Sequence, residues 1–259
     1  MKTILGVMLL AALVATTAQA AVRTEKVEYR HGDAVLEGFL AYDDSMTGKR
    51  PGVLVVHEWW GLNDYAKHRA QELARLGYVA FALDMYGKGT ATTDVKEAGR
   101  LSGMFKDNRP LGRARAAAGL DVLRSRPQVD PARIAAIGYC FGGTVVLELA
   151  RSGADLKGVT SFHGSLATPN PADARNIKGK VLVLHGADDT FESPSEIAAF
   201  QEEMRQARVD WQMNIYGGAV HSFTNPDSGR AGIKGVAYNE AADRRSWQAM
   251  RAFFDEIFR

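Results

Sequence analysis

The sequence predicts an α/β domain, a mostly parallel sheet with helices on both faces. Three observations carry this. Short apolar runs alternate with segments of helical period from one end to the other. The runs lack polar alternation, as strands buried on both faces do. Helix start and stop signals fall between them.

The elements follow in order. Residues 53–56 are a continuous apolar strand. Residues 65–76 have helical spacing, with Ala66, Ala70, Leu73 and Ala74 on one side and Gly77 as the stop. Residues 78–83 are the next strand. Residues 87–110 are the least regular stretch, expected to be a mobile region near the mouth of a site. Residues 111–123 are helical, and Pro127 ends that helix. Strands are expected at 134–137, 159–162 and 181–184. Ser193-Pro194-Ser195-Glu196 reads as a capping box with proline at the first helical position, opening a helix to about Ala207. Residues 211–216 form a late strand, and an amphipathic helix over 241–258 closes the chain.

The chain has 259 residues, enough for one large domain with a full core. Its formal net charge is +2, and no basic cluster with interleaved aromatics suggests nucleic acid. A single cysteine excludes a disulfide framework. The histidines lack the paired spacing with carboxylates that a metal site needs, and no phosphate-binding loop is present, so no cofactor is expected. Residues 1–20 combine Lys2, an apolar run over 4–14 and Ala18-Gln19-Ala20, which reads as an export signal cleaved after Ala20. The expectation is an exported protein, periplasmic in the first reading and fully secreted in the alternative, with one domain over 21–259 and no membrane segment in its mature form.

The most informative stretch is Ile137-Gly138-Tyr139-Cys140-Phe141-Gly142-Gly143. An apolar run ends in Gly-x-Cys-x-Gly-Gly, and a helix-compatible run follows. This is the layout of a nucleophile elbow, a tight strand-to-helix turn that lifts one reactive side chain over the sheet. The lone cysteine occupies that position, so the thiol is the candidate nucleophile.

A thiol needs a base, and the base an orienting acid. In an α/β-hydrolase these follow the nucleophile in the order acid, then histidine. Asp188 and Asp189 lie on a turn after a buried strand. Asp189, three residues beyond Gly186, is the candidate acid. His221 lies farther on, after Gly217 and Gly218, and is the candidate base. His57, His163 and His185 end strands, and His31 and His68 lie in an early hairpin and on a helix.

These residues make the chain resemble the dienelactone hydrolase family of α/β-hydrolases across nearly its whole mature length. The resemblance rests on residues 55–62 (Val-Val-His-Glu-Trp-Trp-Gly-Leu), residues 82–86 (Ala-Leu-Asp-Met-Tyr), the Cys140 elbow, residues 185–189 and His221-Ser222-Phe223. It implies a Cys140–His221–Asp189 triad and an oxyanion hole at the backbone N–H groups of Trp59 and Phe141. It gives Glu58 the role of holding the resting thiol and then helping to generate the thiolate. It places Trp60, Tyr86, Lys88 and Asn225 at the substrate. Lys88 and Asn225 stand where the namesake enzymes carry arginines that grip a substrate carboxylate. A lysine loses the bidentate fork and an asparagine loses the charge, which argues against dienelactone itself as the natural substrate.

The reaction expected is hydrolysis of a small-molecule ester or lactone through an acyl-cysteine intermediate. The alternative, of another class, is a redox-responsive or small-molecule-binding protein that uses Cys140 as an oxidisable thiol.

Overall fold

The computed structural model describes residues 22–259; the expected export signal lies outside them. Eight strands form one sheet: β1 (Val22–His31), β2 (Ala34–Asp43), β3 (Arg50–Val56), β4 (Val79–Leu83), β5 (Val129–Tyr139), β6 (Gly158–Phe162), β7 (Lys180–Gly186) and β8 (Trp211–Tyr216). Their spatial order is β1-β2-β4-β3-β5-β6-β7-β8. β1 and β2 form an antiparallel hairpin, β2 runs antiparallel to β4, and every later pairing is parallel.

Among the described residues five α-helices lie between strands, α1 (Asp64–Arg75), α2 (Val95–Lys106), α3 (Arg109–Arg124), α4 (Phe141–Arg151) and α5 (Pro194–Ala207), and a sixth, α6 (Glu240–Ile257), follows β8. Residues of α2, α3, α4 and α5 pack into one buried cluster against one sheet face. Residues of α1 and α6 pack against the other. The strand centres are apolar on both sides because both faces are covered. α4 is the inner helix; all eleven of its residues are buried.

The capping box is present as expected. The Ser193 hydroxyl accepts from the Glu196 N–H at 3.2 Å, and Glu196 Oε2 accepts from the Ser193 N–H at 2.7 Å. The expectation of irregular chain over 87–110 is corrected. Asp94 accepts from the Glu97 N–H at 2.7 Å and starts α2, which buries Ala98, Leu101, Ser102 and Phe105.

The parallel strands end at one edge of the sheet, where α4 begins, and the packing there is tight. A Cβ on Gly142 would meet the His57 carbonyl oxygen at 2.7 Å. Gly142→Ala is therefore expected to destabilise the protein by about 1–3 kcal/mol through overpacking. Gly99, exposed on α2 with open space around it, is the control. Gly99→Ala is expected to stabilise by about 0.5–1 kcal/mol. Urea denaturation of both variants measures the contrast; equal shifts would contradict it.

Candidate active site

Cys140 joins β5 to α4 with φ at 53°, a left-handed conformation costly for a non-glycine residue. Its surroundings hold it there. The Cys140 N–H donates to both the Phe162 carbonyl (3.0 Å) and His163 Nδ1 (3.1 Å), and its carbonyl accepts from the Gly143 N–H at 2.9 Å. His163 must therefore be neutral, with its proton on Nε2 and shared with Thr224 Oγ1 at 2.7 Å. Burial holds its pKa well below the ordinary value.

The thiol lines a pocket of about 210 Å³. His221, in the loop after β8, stands beside it, with Nε2 3.1 Å from Cys140 Sγ and Nδ1 2.9 Å from Asp189 Oδ2. Asp189 is buried, and its Oδ1 accepts from the Phe191 N–H at 2.9 Å. The Phe191 ring lies 4.8 Å from the imidazole and covers it. Burial pulls the His221 pKa down, but the Cys140 sulfur and the Asp189 carboxylate outweigh it and push the value up to about 10. Asp188 is exposed on the same turn.

Glu58 departs from the expected arrangement. It is 1% exposed, and its two oxygens accept from the Ser222 hydroxyl and, at 2.6 Å, from Asn225 Nδ2. The thiol is held by His221 instead. Burial raises the Glu58 pKa against the pull of those two hydrogen bonds. Glu58 thus anchors the loop that carries His221, one residue from the imidazole.

Trp59 and Phe141 line the pocket, and among the described residues neither backbone N–H has a protein hydrogen-bond partner. Phe141 opens α4, where free amides point outward. The peptide carrying the Trp59 N–H is oriented by His57. His57 Nε2 accepts from the Met85 N–H at 3.2 Å, so the ring proton sits on Nδ1. Nδ1–H donates to the Glu58 carbonyl at 2.5 Å, the other end of that peptide. Burial lowers the His57 pKa, which keeps the ring in this neutral form.

Of the residues expected at the substrate, Trp60 lines the pocket and three do not. Lys88 points to the outer strand β1, where Nζ pairs with Glu28 at 2.7 Å. Tyr86 packs behind the pocket on Phe105 and Phe141, and its hydroxyl donates to the Trp59 carbonyl at 3.0 Å. Asn225 is buried on Glu58. Local offset from a motif set these expectations, whereas partners far along the chain decide where the side chains point. Sequence reasoning also missed Ser222, Phe191, Thr144 and Glu192. Ser222 had a visible signal, its place directly after His221.

A mostly parallel sheet, a strained cysteine turn and an aligned Cys–His–Asp set define an α/β-hydrolase. The chain belongs to the dienelactone hydrolase family, whose model matches residues 36–258, and is a hydrolase of that family. Among solved structures, m3DLH is 45% identical with a TM-score of 0.90, covering 92% of this chain and 100% of its own. A dienelactone hydrolase-like promiscuous phosphotriesterase from metagenomic libraries is 44% identical, also with a TM-score of 0.90, over the same shares of the two chains. A protein of Aquifex aeolicus, provisionally described as a carboxymethylenebutenolidase, is 26% identical over 78% of this chain and 87% of its own.

The His221 environment makes a pH prediction. Because its pKa is raised above the ordinary 6.5, the charged ring stabilises the fold fully below about pH 6.5. That contribution disappears as pH rises through about 10. By NMR, the imidazole is expected to titrate near 10 in the native protein, and well below that in Cys140→Ala. A native value near 6.5 would contradict the ion-pair description.

Proposed function

We propose that the protein hydrolyses small esters or lactones through a covalent acyl intermediate on Cys140. One observation carries this reading: the strained thiol, the imidazole and the carboxylate stand in line at 3.1 and 2.9 Å, beneath an open pocket. The names of the relatives support it.

The steps follow from the geometry. The Cys140 thiolate, paired with the His221 imidazolium, attacks the carbonyl carbon. The carbonyl π electrons move onto oxygen, and the Trp59 and Phe141 N–H groups receive that oxyanion. Collapse expels the alkoxide, which takes the Nε2 proton of His221. Neutral His221, oriented by Asp189, then removes a proton from water, and the hydroxide attacks the thioester. The second collapse releases the carboxylic acid and regenerates the thiolate–imidazolium pair. In the same reading, the protein acts outside the cytoplasm after cleavage behind Ala20.

A panel of activated aryl esters and lactones is the direct test. Cys140→Ala is expected to lose turnover, and quenched native enzyme is expected to carry an acyl mass on Cys140. Unchanged turnover in Cys140→Ala would sink the proposal. An aryl phosphotriester belongs in the panel, since one relative is named for that activity.

His57 acts as a positioning residue in this scheme, through the peptide that presents the Trp59 N–H. His57→Leu is expected to lower kcat by about tenfold to a hundredfold with little change in KM. His57→Asn, whose amide nitrogen falls near the Nδ1 position, is expected to recover part of the loss. A drop in stability with no drop in kcat, or no recovery with asparagine, would refute the role.

A further inference from the structure

The pocket over Cys140 has aromatic walls, but one sector is polar, formed by Thr144, Ser165 and Glu192. Its construction is specific. The first turn of α4 lies hard against the exit of β6: a Cβ on Gly143 would meet the Gly164 Cα at 2.8 Å. Thr144 and Ser165, each next in sequence to one of these glycines, both line the pocket. The Leu166 N–H then donates to Glu192 Oε2 at 3.1 Å, which draws the carboxyl in from the loop between β7 and α5. Fully buried Arg151 holds the same segment from behind, donating to the Leu166 carbonyl at 2.9 Å.

Two groups in this sector are costly where they stand. Glu192 is 5% exposed, and burial is the main influence on its carboxyl, raising its pKa. Thr144 is 1% exposed, and among the described residues its hydroxyl has no hydrogen-bond partner. A buried, unpaired hydroxyl costs about 1–3 kcal/mol. The hydrolytic steps above use neither side chain; Glu192 accepts from the Leu166 N–H on Oε2 and from the Ser165 hydroxyl, which still leaves carboxyl lone pairs for a ligand. A polar group on the ligand would engage both.

We propose that Thr144 and Glu192 form a subsite for a hydroxyl group on a neutral substrate. The inference rests on the hydrolytic reading and narrows it to uncharged, hydroxyl-bearing esters or lactones. A carboxyl accepts an O–H whether ionised or not, and the threonine hydroxyl can donate or accept. The burial that disfavours charge on Glu192 would disfavour a substrate carboxylate beside it too, and an ionised Glu192 would repel that carboxylate. Lys106, on the pocket lining, is exposed, and water and salt screen its charge. Lys88 is committed to Glu28.

The test compares three nitrophenyl esters: butyrate, 3-hydroxybutyrate and hemisuccinate. In the native enzyme kcat/KM is expected to be about tenfold higher for the hydroxy ester than for the butyrate, and lowest for the hemisuccinate. Thr144→Val and Glu192→Gln are each expected to lower the hydroxy-to-plain ratio by about tenfold, mostly through KM. The glutamine still accepts from the Leu166 N–H, so the loop tether survives. Glu192→Gln is also expected to raise the relative rate on the hemisuccinate. A native preference for the hemisuccinate, or ratios unmoved in both variants, would overturn the subsite while leaving the hydrolytic reading intact. Loss of the hydrolytic reading shows separately, as no Cys140-dependent turnover of any ester. Calorimetry on Cys140→Ala gives a second readout: 3-hydroxybutyramide is expected to bind more tightly than butyramide, and equal affinity would count against the subsite.

Discussion

Everything at the site depends on one close approach, that of α4 to the ends of the central strands. Gly138, Gly142 and Gly143 leave no room for a Cβ against the Gly142, Val56 and Gly164 backbones. The chain can then turn from β5 into α4 within one residue, and that residue is forced to positive φ. Such strain persists only where the surroundings over-determine it. Here they do, because the Cys140 N–H is shared by two acceptors and its carbonyl caps the first turn of the helix.

A second layer, of buried polar groups, ties the imidazole to this turn. Thr224 Oγ1 meets His163 Nε2 and the Tyr65 hydroxyl, both at 2.7 Å, and its carbonyl accepts from Arg69 Nη2 at 2.8 Å. Ser222 and Asn225, on either side of Thr224, close on Glu58. The loop carrying His221 is thus pinned to α1, to the exit of β3 and to the exit of β6. Satisfied networks of this kind give rigidity, whereas a half-satisfied one would cost more than an apolar core. His57 and Tyr86 extend the same principle to the peptides on either side of Trp59.

The parts of this design that can be read in the sequence are those written in local signals. The elbow glycines, the order Cys140, Asp189, His221 and the Ser193–Glu196 box each occupy a few adjacent or regularly spaced positions. The structure has a turn at the elbow, brings those three side chains into line and starts a helix at the box. What escaped is decided by residues far apart along the chain. Glu58 faces Ser222 and Asn225 from more than 160 positions away, so its local setting after an apolar strand showed that it needed partners but not which ones. Lys88 meets Glu28 because β1 folds back along β2 and brings it to that edge. α2 escaped because much of Val95–Lys106 is polar and exposed, and only a narrow stripe of it packs inward.

The antiparallel hairpin has an outcome at the level of the whole molecule. Two reversals, β1 to β2 and β2 to β4, return β1 to the direction of the parallel strands, so Val22 starts at the rim opposite the pocket. The end of α6 lies at that rim too, where Phe258 packs on Tyr78. Both ends of the described chain therefore leave from the underside. A tether, fusion partner or solid support joined there leaves the catalytic mouth facing solvent.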